Sequence, residues 1–350
     1  MNRVLKGKEL IGRMAMLTWE EAMQLLLMHS SADGREEVLF GEDFPDVRKV
    51  LPSICVGDVC PHVYLEFPLT GNPFLDVTVL YHEKSGRIRL DLPETAGTEG
   101  MRDWFAGLSK DYHHINVGYE LDTGRKGSPA AVHFQPRGYL ELVEPFCKTL
   151  GEEEKGRLYL STVEKMPTGW KLSFFGMFRG RSGSPLRVCG YLDEKERVAT
   201  AADIEMLRNV FQRIGFRAFD EKMLHQIARI LSEAVDGADF QFDVWPDGSF
   251  GETFAIDLKI RSRRLRDMRN AFSRGDRAPL RQLLEDWKII DGRLDAALGM
   301  TFARNYPVEK PDGSKGNLSM LLMPQWIKIR WIRGELQPAK LYCLTRADLP

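Results

Sequence analysis

Charged and aromatic residues recur at every second position in several short stretches of this 350-residue chain. Trp326, Lys328 and Arg330 share one parity, and Ile327, Ile329 and Trp331 share the other. Lys340, Tyr342 and Leu344 oppose Leu341 and Cys343 in the same way. In 253–261, Thr253, Ala255, Asp257, Lys259 and Arg261 alternate with Phe254, Ile256, Leu258 and Ile260. Strand side chains have period two, so each stretch reads as a strand with one polar and one apolar face. Lys and Arg gathered from several such faces suit a diphosphate: Arg offers a planar fork, Lys a point charge. Tyrosine among them donates a hydrogen bond to phosphate, and aromatic faces shield a carbocation from water.

The elements that must position these residues are hairpins. The clearest runs from Asp239 to Arg261, with Phe240, Phe242 and Val244 opposing Asp239, Gln241, Asp243 and Trp245 before a turn at Pro246-Asp247-Gly248. Four more follow the same pattern. Residues 62–82 turn at Thr70-Gly71-Asn72-Pro73, and a second unit spans about 114–137. The others are 170–192 and 318–345. Helical patterns lie between them. These are Met101–Leu108, 139–150 and 152–165, Ala201–Ile214 behind Thr200, Glu221–Ala234 behind Asp220, and a series over about 263–304 with one start near Asp276 and Pro279. Thr18 and Glu21 have capping-box spacing before an N-terminal helix, and a short helix is expected near Pro45–Val50. Hairpins followed by helix pairs argue against a doubly wound parallel sheet. They predict an α+β fold, a closed antiparallel barrel of about ten strands with helices outside and a polar lumen inside. One domain is expected over 1–350, with 1–60 as helices and loop leading into the barrel.

Composition narrows the partners. Net charge is −1, so no overall basic field argues for nucleic acid. No apolar run reaches membrane-spanning length, and the N-terminal stretch is too polar for a signal peptide. Five cysteines, an odd number with Cys147, Cys189 and Cys343 far apart, imply a reducing, cytoplasmic location. Cys55, Cys60 and His62 lack the fourth ligand and the tight spacing of a zinc site. Gly180–Ser184 lacks the Walker pattern and reads as a hairpin turn. The basic run Arg261–Arg269 reads as a solvated helix face, since it has no interleaved aromatics. No aspartate-rich DDxxD motif is present, which argues against a helical, metal-cluster isoprenoid synthase. Mg2+ is compatible but not required, with Asp243 or Asp257 as the carboxylate to carry it beside a diphosphate.

Parity then supplies a lumen inventory. The bases are Arg137, Lys171, Arg179, Arg187, Lys259, Lys328, Arg330 and Lys340, and the acids are Glu66, Asp76, Glu120, Asp243 and Asp257. His62 and His133 join them, as do the aromatics Tyr64, Tyr191, Trp245, Trp326 and Tyr342. Trp326 and Trp331 have opposite parity, so at most one lines the lumen. An excess of one sign inside a low-dielectric barrel calls for an anionic partner.

Repeated α-β-β-α units closing a ten-stranded barrel with a basic, tyrosine-rich interior resemble the aromatic prenyltransferases of the PT-barrel (ABBA) type, in their indole-acting or peptide-acting branches. Arg187 with Tyr191, Lys259 with Arg261, Lys328 with Arg330, and Lys340 with Tyr342 are similar to that family's alternating basic and tyrosine positions. The resemblance implies transfer of a dimethylallyl or longer prenyl group from its diphosphate to an aromatic acceptor, an indole or tryptophan or a peptide side chain. It implies Arg137, Lys171, Arg187, Lys259, Arg261, Lys328, Arg330 and Lys340 as diphosphate ligands, and Tyr64, Tyr191, Trp245, Trp326 and Tyr342 as the cation shield. Glu66 stands where the indole-acting branch keeps its proton-accepting glutamate. No cofactor is required on this reading. The alternatives are a non-catalytic barrel for a small amphipathic or anionic ligand, and a hydrolase or other transferase using the same anion pocket.

Overall fold

The computed structural model describes residues 35–41, 62–82, 115–121, 131–179, 183–260, 268–309 and 315–348, with isolated positions between 101 and 112. The predicted helices at Thr18–Glu21 and Pro45–Val50, and the cysteines Cys55 and Cys60, lie outside the described residues. So does Arg261.

Ten strands close a ring of antiparallel pairs. In chain order they are β1 (His62–Pro68), β2 (Asp76–His82), β3 (Asn116–Leu121), β4 (Ala131–Gln135), β5 (Trp170–Met177), β6 (Leu186–Leu192), β7 (Ala238–Val244) and β8 (Phe250–Lys259). β9 (Phe302–Glu309) lies outside the ring. β10 (Lys315–Ile332) and β12 (Lys340–Asp348) complete it, and the two-residue β11 (Glu335–Leu336) pairs only with β10. Each of β1 to β8 pairs with the next, β8 pairs with β10, β10 with β12, and β12 with β1. The five expected hairpins and their closure are therefore present.

Burial does not alternate along these strands, although chemistry does. Six consecutive residues of β1, Val63–Pro68, are buried. Val63, Leu65 and Phe67 belong to the outer core under the helices, while Tyr64 and Glu66 line the lumen. Both faces are shielded, so the sequence's period two records which medium each face meets.

The outer core is helix on sheet. Helix α1 (Arg35–Phe40) brings Phe40 edge-on to Phe67 of β1, centroids 5.2 Å apart. Helices α2 (Val143–Thr149) and α3 (Glu153–Lys165) follow β4, and Phe146 stacks on Phe134 at 4.1 Å. After β6 come α4 (Glu194–Ala202), α5 (Ile204–Ile214) and α6 (Glu221–Ser232). The first of these was not foreseen. Thr200, expected as an N-cap, lies inside α4, and the caps are Asp193 and Asp203, whose carboxylates accept from the backbone N–H of Glu196 and Glu205. Asp220 caps α6 as expected, accepting from Met223 N at 2.8 Å. Phe211 of α5 meets Phe242 and Phe254 of the barrel at 5.9 and 5.1 Å. Truncating such a buried ring costs about 3–5 kcal/mol.

The helical series expected over about 263–304 is α7 (Met268–Arg274), α8 (Ala278–Asp286) and α9 (Arg293–Gly299). The chain then extends as β9, which the pattern did not predict. β9 covers the first half of β10, from Lys315 to Leu322. Beyond Pro324, which cannot donate to a ladder, β10 exchanges β9 for β8 at a register shift.

Candidate functional site

The inward faces enclose a cavity of about 400 Å³, within the roughly 300–1,000 Å³ of small-molecule sites. Of the residues singled out from sequence, Tyr64, Glu66, Arg137, Arg187, Tyr191, Lys259, Trp326, Lys328, Arg330, Lys340 and Tyr342 all line it. Two do not. Lys171 faces Tyr191 at the end of the β5–β6 ladder and is exposed, beyond the rim. Between it and the lumen a register shift carries Ser173 into the lining instead. Trp245 lies past the end of β7, in the turn closed by Trp245 N to Ser249 O at 2.8 Å. A register shift at Asp243 has already broken the alternation there. The indole covers the hairpin end instead, where a Cβ on Gly183 would fall 2.7 Å from its ring.

Bases and acids interleave around the ring. Arg187 of β6 makes a two-pronged pair with its cross-strand neighbour Asp243 of β7, 2.8 and 3.2 Å. Its guanidinium also sits 4.5 Å over the Phe178 ring. Lys259 holds Asp239 at 2.7 Å. Lys340 of β12 bridges Glu66 of β1 at 2.7 Å and Asp76 of β2 at 3.2 Å. Lys328 donates to the Tyr342 hydroxyl at 2.5 Å and lies 4.8 Å over that ring. Gln241 donates to Asp257 across β7–β8. Arg330, half-buried, has no hydrogen bond or ion pair of its side chain among the described residues. Among the described residues the lining holds six carboxylates and six Lys or Arg side chains. The expected basic excess is thus corrected: Asp239 was missing from the inventory, Lys171 and Arg179 do not belong to it, and three of the six cations, Arg187, Lys259 and Lys340, already have a carboxylate partner.

Electrostatics follow from this wiring. Burial alone would raise the Glu66 carboxyl, but the Lys340 and Lys328 cations outweigh it and hold Glu66 well below the usual range. Asp76 goes the other way, pushed up to about 7 by burial and the Glu66 charge against the pull of Lys340. Asp257 is pushed up to about 6, chiefly by burial, with Lys328 opposing. Burial lowers Arg330, and the Arg187 charge lowers it further. Burial and then the Glu66 charge keep the Tyr342 phenol neutral, well above its ordinary value.

An aromatic wall stands beside these charges. Tyr64 and Trp326 approach to 4.9 Å between centroids, and Trp326 meets Tyr342 edge-on at 6.1 Å. His133 lies 3.5 Å from Glu120. Its ring fits because β5 carries Gly176 opposite, where a Cβ would come within 2.7 Å of Nδ1. Asn116 donates to Gln135 across β3–β4. Of these, His133 and Glu120 were legible by parity, whereas Asn116, Gln135, Gln241 and Cys189 carry no signal of chemistry beyond lying on a lumen face.

No family model and no curated protein sequence matches this chain. Solved structures match it over nearly its whole length. A 5-dimethylallyltryptophan synthase from Streptomyces coelicolor superposes with a TM-score of 0.53 at 13% identity, covering 94% of this chain and 97% of that one. AnaPT from Neosartorya fischeri gives 0.55 at 10% identity, covering 97% and 96%. The PriB complex with product diphosphate gives 0.50 at 14% identity, covering 94% and 96%. The chain therefore has the PT-barrel fold, as the alternating hairpins implied.

Proposed function

We propose that this protein is an aromatic prenyltransferase. It moves a dimethylallyl or longer prenyl group from its diphosphate to an aromatic acceptor, an indole such as tryptophan or an aromatic peptide side chain. The observation that carries the reading is one enclosed cavity in which the unpaired Arg330, beside Arg187, shares its space with the Tyr64–Trp326–Tyr342 wall and with Glu66. An unpaired, partly buried guanidinium is costly unless an anion meets it. The solved S. coelicolor synthase has been captured with DMASPP and Trp, which gives the same pairing of ligands a precedent in this fold.

In this reading Arg187, Lys259, Lys328, Arg330 and Arg137 hold the diphosphate, with Lys340 at its margin. The allylic C–O bond breaks and both electrons leave with the diphosphate, whose growing charge these cations stabilise. Trp326, Tyr64 and Tyr342 face the allyl cation; Tyr191 closes the rim. A ring carbon or nitrogen of the acceptor forms the new bond and becomes strongly acidic. Glu66 then accepts its proton, and a low carboxylate pKa is no obstacle because the protonated adduct is far more acidic. Side chains alone supply this charge work, so Mg2+ has no required role. The setting is the cytoplasm: Cys147, Cys189 and Cys343 are free and buried, and among the described residues no helix is long and apolar enough to cross a membrane.

One observation favours a second reading, a non-catalytic barrel for a small amphipathic ligand. Arg187, Lys259 and Lys340 are already satisfied by carboxylates without any ligand. Turnover separates the two. Incubation with isotopically labelled dimethylallyl diphosphate and a panel of indoles, phenols and tryptophan-containing peptides is expected to give labelled acceptor. Tight binding of dimethylallyl thiolodiphosphate without transfer to any acceptor would favour the binding protein; neither binding nor transfer would remove both diphosphate readings.

A further inference from the structure

Two glycines clear the wall around His133, a cavity-lining side chain that the mechanism above leaves unused. His133 of β4 lies directly opposite Gly118 of β3 on one side and Gly176 of β5 on the other. Gly176 in turn lies opposite Arg187 of β6. Directly opposed residues share a face, so this row of the lumen runs glycine, histidine, glycine, arginine. Contacts require the glycines: a Cβ on Gly176 would fall 2.7 Å from His133 Nδ1, and one on Gly118 2.8 Å from the Val79 carbonyl oxygen. The two ring nitrogens face different neighbours. Nε2 is 3.5 Å from a Glu120 carboxylate oxygen, on the β3 side, and is buried without a hydrogen bond among the described residues. Nδ1 lies over the bare backbone of Gly176, on the side of Arg187. Phe178 joins the two residues: it meets the imidazole edge-on at 5.8 Å, and the Arg187 guanidinium lies 4.5 Å over its ring. Imidazole and guanidinium are thus separated by about 10 Å, two strand spacings, with no side chain of β5 rising between them. Asp243 takes Nε and Nη2 of Arg187, which leaves Nη1 for a ligand. Against burial, Asp243 and less strongly Glu120 hold the Arg187 charge in place, so Glu120 and Arg187 stand in one field, with His133 between them.

Resting on the prenyl-transfer reading above, we infer that His133 is a further ligand of the diphosphate, donating from Nδ1 to a phosphate oxygen while Arg187 Nη1 holds another. A diphosphate has oxygens at both ends, and it bridges donors on β4 and β6 across the space that Gly176 leaves. Glu120 is a positioning residue, holding the ring from behind through Nε2. Flanked by a carboxylate and a phosphate, the imidazole donates from both nitrogens and so carries a positive charge between two anions. It also keeps the Glu120 carboxylate from facing the diphosphate directly.

The test is calorimetric titration with dimethylallyl thiolodiphosphate and then with inorganic diphosphate, both in EDTA, against wild type and His133 variants. His133→Phe keeps a ring without a donor and should bind both ligands about tenfold weaker or worse, the worth of one hydrogen bond to a charged group. The amide nitrogen of Asn falls near the place of Nδ1, and that of Gln near Nε2. His133→Asn should therefore stay within about fivefold of wild type, while His133→Gln should lose as much as the phenylalanine variant. Glu120→Gln should weaken diphosphate binding a few-fold in wild type, where it releases the ring. In the His133→Phe background it should strengthen binding, because there it removes a facing negative charge. Equal losses in the Asn and Gln variants would mean that the ring only packs, and would overturn the inference, as would an effect of Glu120→Gln with one sign in both backgrounds. Should these variants fail to fold, Gly176→Ala replaces them: its Cβ drives Nδ1 from its place, so affinity should fall about tenfold, and unchanged affinity overturns the inference. If wild type binds neither ligand, the transfer reading falls and this inference with it. If wild type binds and the His133 variants match it, this inference alone falls.

Discussion

Replacing Asp76 with Asn should flatten the dependence of stability on pH between about pH 5 and pH 7.5. Asn keeps the shape and still offers Lys340 Nζ an acceptor, 3.2 Å away in the native pair. It removes one titration. In the folded protein Asp76 is pushed up to about 7, against 3.8 for an ordinary aspartate, by burial and the facing Glu66 charge. The folded state therefore holds a proton that the unfolded chain has released. A raised folded value stabilises fully below the unfolded pKa, and that contribution is lost as pH rises through the folded one. Integrating these two values from about pH 5 to pH 7.5, Asp76 alone removes about 2.5 kcal/mol as pH rises. Asp257, at about 6, adds a smaller loss of the same sign, about 1.4 kcal/mol. Glu66 is depressed, so its contribution is complete above its ordinary value and does not vary in this window. Urea unfolding of wild type and Asp76→Asn at the two pH values measures the difference directly. Wild type should lose about 4 kcal/mol from these two groups and the variant about 1.4 kcal/mol. Equal slopes in the two proteins would refute the reasoning, because Asp76 would then not carry a proton that folding retains.

The remaining expectations concern the lumen's other charges. Asp243→Ala leaves Arg187 buried without its two-pronged partner and should cost about 3–5 kcal/mol in urea unfolding; a loss below about 1 kcal/mol would mean the guanidinium finds water. Arg330→Ala orphans no carboxylate, so its urea midpoint should hold while calorimetry shows dimethylallyl thiolodiphosphate binding weakened about tenfold or more. Unchanged affinity would move the anion seat elsewhere. Glu66→Gln should slow prenyl transfer about 10²–10⁴-fold with thiolodiphosphate affinity within a few-fold of wild type. Wild-type turnover in that variant would free Glu66 from the proton-accepting role.

The hairpin order and the lumen-facing parity were legible because a strand with helices outside and polar space inside must alternate in chemistry. Tyr64 and Glu66 against Val63, Leu65 and Phe67 is the plainest instance. Parity failed where register did. At Ser173 and Asp243 a ladder slips, and Lys171 and Trp245, beyond those points at strand ends, leave the cavity. Neither slip has a proline or a positive φ to announce it. β9 failed for another reason: it packs outside the ring on β10, so no single medium on either face imposes period two. The charge balance was the least legible feature, because parity assigns a charge to a face but not to a neighbour. Lys340 meets Glu66 across 274 residues of chain, and only because β12 closes the ring on β1. That closure sets the acids of the first hairpin beside the bases of the last. It turns the apparent basic excess of the sequence into a partly paired lumen, in which Arg187, Lys259 and Lys340 hold carboxylates, Lys328 holds the Tyr342 hydroxyl, and the Arg330 side chain shows no hydrogen bond or ion pair among the described residues. A ligand's charge is then read against that pairing, not against a count of Lys and Arg.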